Sequence, residues 1–299
     1  SVNLSNNFTP SFGGGTGYNN QRAYYYQFDE NRGGSCTGTL EEKKNKDSCY
    51  YKVVLPFDVD QQQNFANWYS YYRSRNFAAR AGVSRAFAGL ADGIRIGYGR
   101  INKSTSSTRD GKSVTTIERG VRKFSGTDRE DFFDWLFTTP QSGNTPLRRA
   151  LDAAGRYYEN SADQGPCSTT PGTTGGNHLS CRKSYTLLMS DGYWNDAAAA
   201  TSDARENVDN TAGTTITGFL NDDTPTSYTY TPQSPFSDSQ SNTLADVAMY
   251  YWKRDLYPDL DNKVPVSVRD PAFWQHMATF TVGLGVEGSV DPDAAFNAI

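Results

Sequence analysis

The sequence predicts an α/β fold: a mostly parallel sheet covered by helices on both faces, with long loop insertions. Three observations lead there. Short apolar, β-branched runs alternate along the chain with stretches whose apolar residues recur at helical spacing. Two of those runs, SYTLLMS and ATFTVGLGV, are apolar along most of their length, as strands buried on both faces are. The segments between are rich in Ser, Thr, Asn, Gly and Pro and show no period. No internal repeat is visible.

The elements follow in chain order. Residues 1–48 carry few periodic apolar positions, and GGGTG at 13–17 is a flexible stretch. It is not a phosphate-binding loop, because no Lys-Ser/Thr follows at the required spacing. YYKVVLPF at 50–57 reads as a strand. Residues 64–90 read as one long helix, with Phe65, Trp68, Tyr69 and Tyr72 on one face and Ala79, Val83, Ala86, Phe87 and Leu90 continuing it. Ile94–Ile101 and Thr115–Phe124 are strands. Between them GKS lacks a leading glycine at the phosphate-loop spacing, so Asp110-Gly111 reads as a hairpin turn. A helix spans 128–138. Another starts at Thr145-Pro146, as an N-cap followed by proline at the first helical position. Its apolar face is Leu147, Leu151, Ala154 and Tyr158. A strand ends at Asp191-Gly192, a helix spans 243–257, and Ala278–Val286 is a buried strand. All 299 residues are grouped as one domain, with insertions near 1–60, 160–182 and 197–241.

Composition excludes several functions. The hydrophobic fraction of 36% and charged fraction of 21% are compatible with a packed core. A net charge of −4 argues against a dedicated nucleic-acid binder. No apolar run approaches the ~18 residues of a membrane-spanning helix. The opening SVNLSNNFTP is not a signal peptide. The 19 Tyr and 16 Phe, set among polar loops, suit either a recognition surface or a solvated periphery. No nucleophile elbow, zinc-protease motif or Cys–His pair is present, so the chain is expected not to be an enzyme. His178 sits in a polar loop and is expected exposed. His276, beside aromatics, is expected to be partly buried and structural.

Four cysteines form two local pairs, Cys36 with Cys49 and Cys167 with Cys181, each flanking a short polar loop. In an oxidising compartment two loop disulfides are expected, each stabilising by about 3 kcal/mol. Free thiols and a metal site are the alternatives.

Five blocks carry a family resemblance: NFANWYSYYRSR (64–75), IRIGYGRIN (94–102), CRKSYTLLMSDGYWND (181–196), LADVAMYYWKRDL (244–256) and DPAFWQHMATFTVGLGV (270–286). They resemble the amino-terminal region of the PilY1 family of type IV pilus tip and biogenesis proteins. The resemblance implies a von Willebrand factor A-like domain, a doubly wound Rossmann-like sheet, without the family's carboxy-terminal β-propeller. It further implies export through the periplasm, a place at the pilus tip or cell surface, and minor pilins as partners. Roles in pilus assembly, twitching motility, surface adhesion and sensing of mechanical load come with it.

Such domains often hold Mg²⁺ through oxygens from three loops. Here the resemblance places Thr145 on the second loop and Asp191 on the third. The first motif is degenerate, with Asn3 and Ser5 as its remnant. Mg²⁺ or Ca²⁺ is therefore a candidate ion, and Asn221-Asp222-Asp223 is a weaker calcium candidate. Two alternatives accompany this reading: a receptor or adhesin that binds a host, glycan or phage ligand through its insertions, and a metal-dependent A-type domain of another exported protein.

Overall fold

The computed structural model describes residues 6–7, 22–55, 59–140, 143–190 and 197–284. The chain divides into two compact units, Ser1–Ala86 and Phe87–Ile299.

In the first unit β1 (Tyr24–Phe28) pairs antiparallel with β2 (Tyr50–Val54), from Tyr24 opposite Val54 to Phe28 opposite Tyr50. The connection is closed by the Cys36–Cys49 disulfide, as expected. It also holds a short helix α1 (Leu40–Lys44), which a reciprocal cap starts: Glu42 N–H donates to Thr39 Oγ1 and Thr39 N–H to Glu42 Oε2. The expected long helix is two, α2 (Val59–Tyr71) and α3 (Arg75–Ala88). The side chains at the junction explain the break. Arg73 donates to the Tyr69 carbonyl at 2.7 Å, capping the end of α2. Ser74 Oγ then accepts the Phe77 N–H and caps the start of α3.

In the second unit β3 (Arg95–Gly99) pairs antiparallel with β6 (Ile117–Lys123). Between them lies the predicted hairpin, β4 (Ser107–Arg109) and β5 (Lys112–Val114), turning through Asp110 and Gly111 at φ 51° and 87°. Two successive positive φ values are what a tight hairpin turn needs, and Asp-Gly supplies them. Helix α4 (Gly126–Thr138) presents Phe132 and Trp135 to Tyr98, Phe124 and Phe87 in one aromatic cluster.

The rest of the unit is built from α5 (Leu147–Tyr158), β7 (Ser184–Ser190), the hairpin β8 (Ile216–Phe219) and β9 (Pro225–Tyr228), α6 (Leu244–Trp252) and β10 (Met277–Gly283). β7 and β10 run parallel, Ser184 opposite Met277 and Ser190 opposite Gly283. With α6 between them in sequence they form a β-α-β unit. Leu151, Ala154, Val247, Tyr251, Leu256 and Met277 fill its core.

The molecule is thus mixed α/β, with a narrower parallel component than the sequence suggests. Among the described residues the strands form five two-stranded sheets, and only β7 with β10 is parallel. The reason is local connectivity. β4–β5 and β8–β9 return antiparallel through short turns, β1–β2 and β3–β6 through longer connections that hold α1 and the β4–β5 hairpin, and the one parallel pair uses a crossover that contains α6. The insertion at 197–241 is not featureless either: it holds β8, β9 and a 3₁₀ turn at Asp203–Arg205.

Candidate functional site

Helices α5 and α6 lie side by side and point the same way, because four contacts match in order along both. Arg148 Nη1 donates to the Asn242 carbonyl (2.6 Å) at their beginnings. Tyr251 O–H donates to Asp152 (2.8 Å) further along. Arg254 pairs with Glu159, and Tyr257 O–H donates to the Asn160 carbonyl (2.6 Å), at their ends. Tyr158 O–H reaches the Tyr185 carbonyl (2.8 Å), so the last turn of α5 sits beside the first residues of β7. The first turn of α5 therefore faces the end where β7 and β10 stop. In open α/β folds that end of the strands is where ligands bind.

Thr145 lies at this end, directly before α5. It is not the helix cap expected from Thr145-Pro146. Pro146 holds the cap position with no side-chain cap bond, and the Thr145 carbonyl accepts the Leu147 N–H at 3.0 Å. The helix begins one residue later because Pro146, at ψ 69°, has not entered helical geometry. Asp191, Asn3 and Ser5 lie outside the described residues. An open cleft of about 360 Å³ adjoins Thr145, lined by Asn102, Ser104, Gly143, Asn144, Pro146 and Arg149. Gly143 has φ 100° and packs against the Asn102 carboxamide, so no larger residue fits there. This lining offers neutral oxygens and one guanidinium, and no carboxylate. A hard dication prefers carboxylate oxygens, so the described lining does not by itself fit Mg²⁺ or Ca²⁺. The Asn221-Asp222-Asp223 run forms the β8–β9 turn. Asp222 accepts from the Thr224 hydroxyl and the Thr224 N–H, which lower its pKa, and Lys263 lies 3.4 Å from Asp223.

The sequence could not show how the aspartates are used. Asp152 and Asp246 are fully buried and fasten the insertion to the paired helices. Asp152 accepts N–H bonds from Ala200 (3.0 Å) and Thr201 (3.4 Å) besides the Tyr251 hydroxyl. Asp246 accepts from Val208 N–H (2.7 Å) and Thr243 N–H (2.8 Å), and its own N–H caps back to Thr243 Oγ1. Asp209 is buried beside it. Burial pushes its carboxyl up to about 6, the charges of Asp246 and Asp238 add to this, and the Asp238 N–H and Lys253 oppose it. The Thr-x-x-Asp spacing at 243–246 was the one legible signal of this arrangement.

Another buried carboxylate anchors the β4–β5 turn. Asp110 pairs with Arg122 (2.6 Å) and accepts the Tyr157 hydroxyl (2.6 Å), while Asn160 Nδ2 donates to its carbonyl. Tyr157 in turn accepts the Val121 N–H at 2.8 Å.

The second expected disulfide is corrected. Cys167 and Cys181 are separate thiols, Cys167 buried and Cys181 exposed. Backbone pairing closes their loop instead: Ser168 bridges His178, and Leu179 N–H donates to the Cys167 carbonyl. Burial pushes the Cys167 thiol up to about 11, which suppresses its thiolate. His178 is half-buried rather than exposed, tied to the Ala162 carbonyl at 2.8 Å. His276, expected to be partly buried, is fully buried.

Among the described residues no helix is long and apolar enough to cross a membrane. No family model and no solved structure matches the chain. Curated relatives do. The type IV pilus biogenesis factor PilY1 of Pseudomonas aeruginosa strain PAK is 35% identical over 97% of the chain. Its counterparts in strains PAO1 and UCBPP-PA14 are 33% and 34% identical over 97% and 98%. The chain spans 25% of the length of each of these relatives. It is accordingly related to one quarter-length region of the PilY1 type IV pilus biogenesis factors.

Proposed function

We propose that this chain is a non-catalytic interaction module of a type IV pilus biogenesis factor. The observation that carries the proposal is similarity of 33–35% along nearly the whole chain to three such factors. In this reading the module works at the pilus tip or cell surface after export through the periplasm. Its partners are minor pilins, and it contributes to surface adhesion and to the response to load. The β7-α6-β10 unit, with α5 alongside, supports assigning it a von Willebrand factor A-like architecture.

A receptor reading, with a host, glycan or phage ligand bound through the insertions, has one observation in its favour. The 197–241 insertion is folded and pinned by Asp152 and Asp246, so it can present a defined surface. Deleting 201–240 from the full-length protein separates the two. The assembly reading expects unchanged attachment per pilus, with loss of pili only when the core is disrupted. The receptor reading expects pili that no longer attach.

A further inference from the structure

We propose that the cleft beside Thr145 binds a carboxylate directly on Arg149, with no metal ion between them, and that the carboxylate belongs to an acidic side chain of a protein partner. The cleft opens at the end where β7 and β10 stop and holds about 360 Å³, within the range of small-ligand sites. Arg149 brings the only full charge to its described lining. A guanidinium carries five N–H donors and no acceptor, so only an acceptor can answer it. Arg149 is half-buried, and its Nε is closed to water and has no hydrogen-bond partner among the described residues. No carboxylate lies in the described lining to pair with it.

The charged groups next to the lining residues in sequence are engaged elsewhere. Arg148 donates to the Asn242 carbonyl, Arg100 pairs with Glu118, and Lys103 donates to the Thr105 carbonyl and to Ser107. The first turn of α5 holds no acidic residue and no side-chain cap, so no side chain of that turn offsets the positive end of the helix dipole. A buried donor without a partner is costly, so an incoming acceptor gains what the fold leaves unmet.

The lining selects the class of anion. One guanidinium matches one negative charge, and its planar fork grips both oxygens of a carboxylate. Asn102, Asn144 and Ser104 bring carboxamide and hydroxyl donors to the same space, and Asn144 and Ser104 are exposed, so a partner's side chain reaches them. A phosphate dianion would keep one charge without a counterpart, and Mg²⁺ would face the guanidinium with no carboxylate to hold it. A protein partner of this chemistry presupposes the interaction-module reading. Binding to the purified chain is measured apart from pili, so either result can fail alone.

The test is an NMR titration of the full chain in EDTA with a blocked glutamate (N-acetylglutamic acid α-methylamide), read at the Arg149 Nε–H and at the Ser104 and Asn144 backbone amides. Saturable shifts are expected at all three, and blocked glutamine, equal in shape and neutral, should give none. Arg149→Gln should weaken binding by about tenfold or more, the worth of one charge-assisted contact. Arg156→Gln, further along α5 and outside the cleft, should leave binding unchanged. Ser104→Glu, at an exposed position, should block binding by supplying a carboxylate from within, which decides the matter if Arg149→Gln does not fold. No saturable shift, an equal response to glutamine, or undiminished binding in Arg149→Gln or Ser104→Glu overturns the proposal. So does binding that appears only when Mg²⁺ replaces EDTA. Tighter capture of inorganic phosphate or of methyl glucuronide also overturns it, since the ligand would then belong to another class.

Discussion

Replacing Asp152 by alanine tests how the paired helices hold the insertion. The carboxylate is 1% exposed and accepts three bonds, from Ala200 N–H, Thr201 N–H and the Tyr251 hydroxyl. Alanine leaves the two amides without this acceptor, and because Ala200 is exposed and Thr201 half-buried, water replaces it in part. Tyr251 keeps a fallback, since its oxygen lies 3.2 Å from Thr201 Oγ1. A buried donor left unsatisfied costs about 1–3 kcal/mol, so two amides that water partly reaches give a loss at the low end, about 2–3 kcal/mol. Tyr251→Phe removes one bond to the same carboxylate and spares both amides, for about 1.5–3 kcal/mol. Because the two side chains touch, the double variant should lose less than the sum of the single losses. Urea unfolding followed by Trp252 and Trp274 fluorescence, in the same unit, measures all three. An Asp152→Ala midpoint within error of the unmodified chain, or strictly additive losses, would refute the reasoning.

Other expectations follow from the same structure. Replacing Cys36 and Cys49 by serine should cost about 3 kcal/mol of stability in the first unit, and reductant should lower its melting temperature equally. Asp209 binds its proton more tightly folded than unfolded. Its contribution is therefore complete at low pH and is lost as pH rises from about 4 to about 6, amounting to about 3 kcal/mol, and Asp209→Asn should abolish that decline in denaturation curves. Gly155→Ala drives a methyl group into the Tyr251 ring between α5 and α6 and should cost about 1–3 kcal/mol by thermal melting. Excess Mg²⁺ or Ca²⁺ should leave the melting temperature where EDTA leaves it, whereas a rise that Asp191→Ala removes would return the ion to the site.

The sequence reveals the parts of the fold that rest on local chemistry. Asp110-Gly111 makes the hairpin turn because only such a pair adopts two positive φ values cheaply. The Leu147, Leu151 and Ala154 stripe marks the buried face of α5, and Cys36 and Cys49 lie close enough along the chain to bond. What it conceals depends on side chains meeting across long separations. Arg73 and Ser74 end one helix and start another inside an unbroken aromatic stripe. Asp152 meets Tyr251 across 99 positions, and nothing in their surroundings in the sequence marks either as a partner. Cys167 and Cys181 resemble the first pair in spacing, yet one thiol turns into the core and the other outward. Of the candidate site, Thr145 is legible as a loop residue ahead of a helix. The cleft beside it draws Asn102 and Ser104 from a different connection, and no motif links the two.

The central claim is that this region serves a type IV pilus biogenesis factor as an interaction module. Removing the region from the full-length protein, in otherwise unaltered cells, and counting surface pili and attached cells per pilus tests it most directly. The account predicts that pilus number, attachment or both fall while the shortened protein is still exported. Unchanged pili with unchanged attachment, in cells that export the shortened protein, would contradict it.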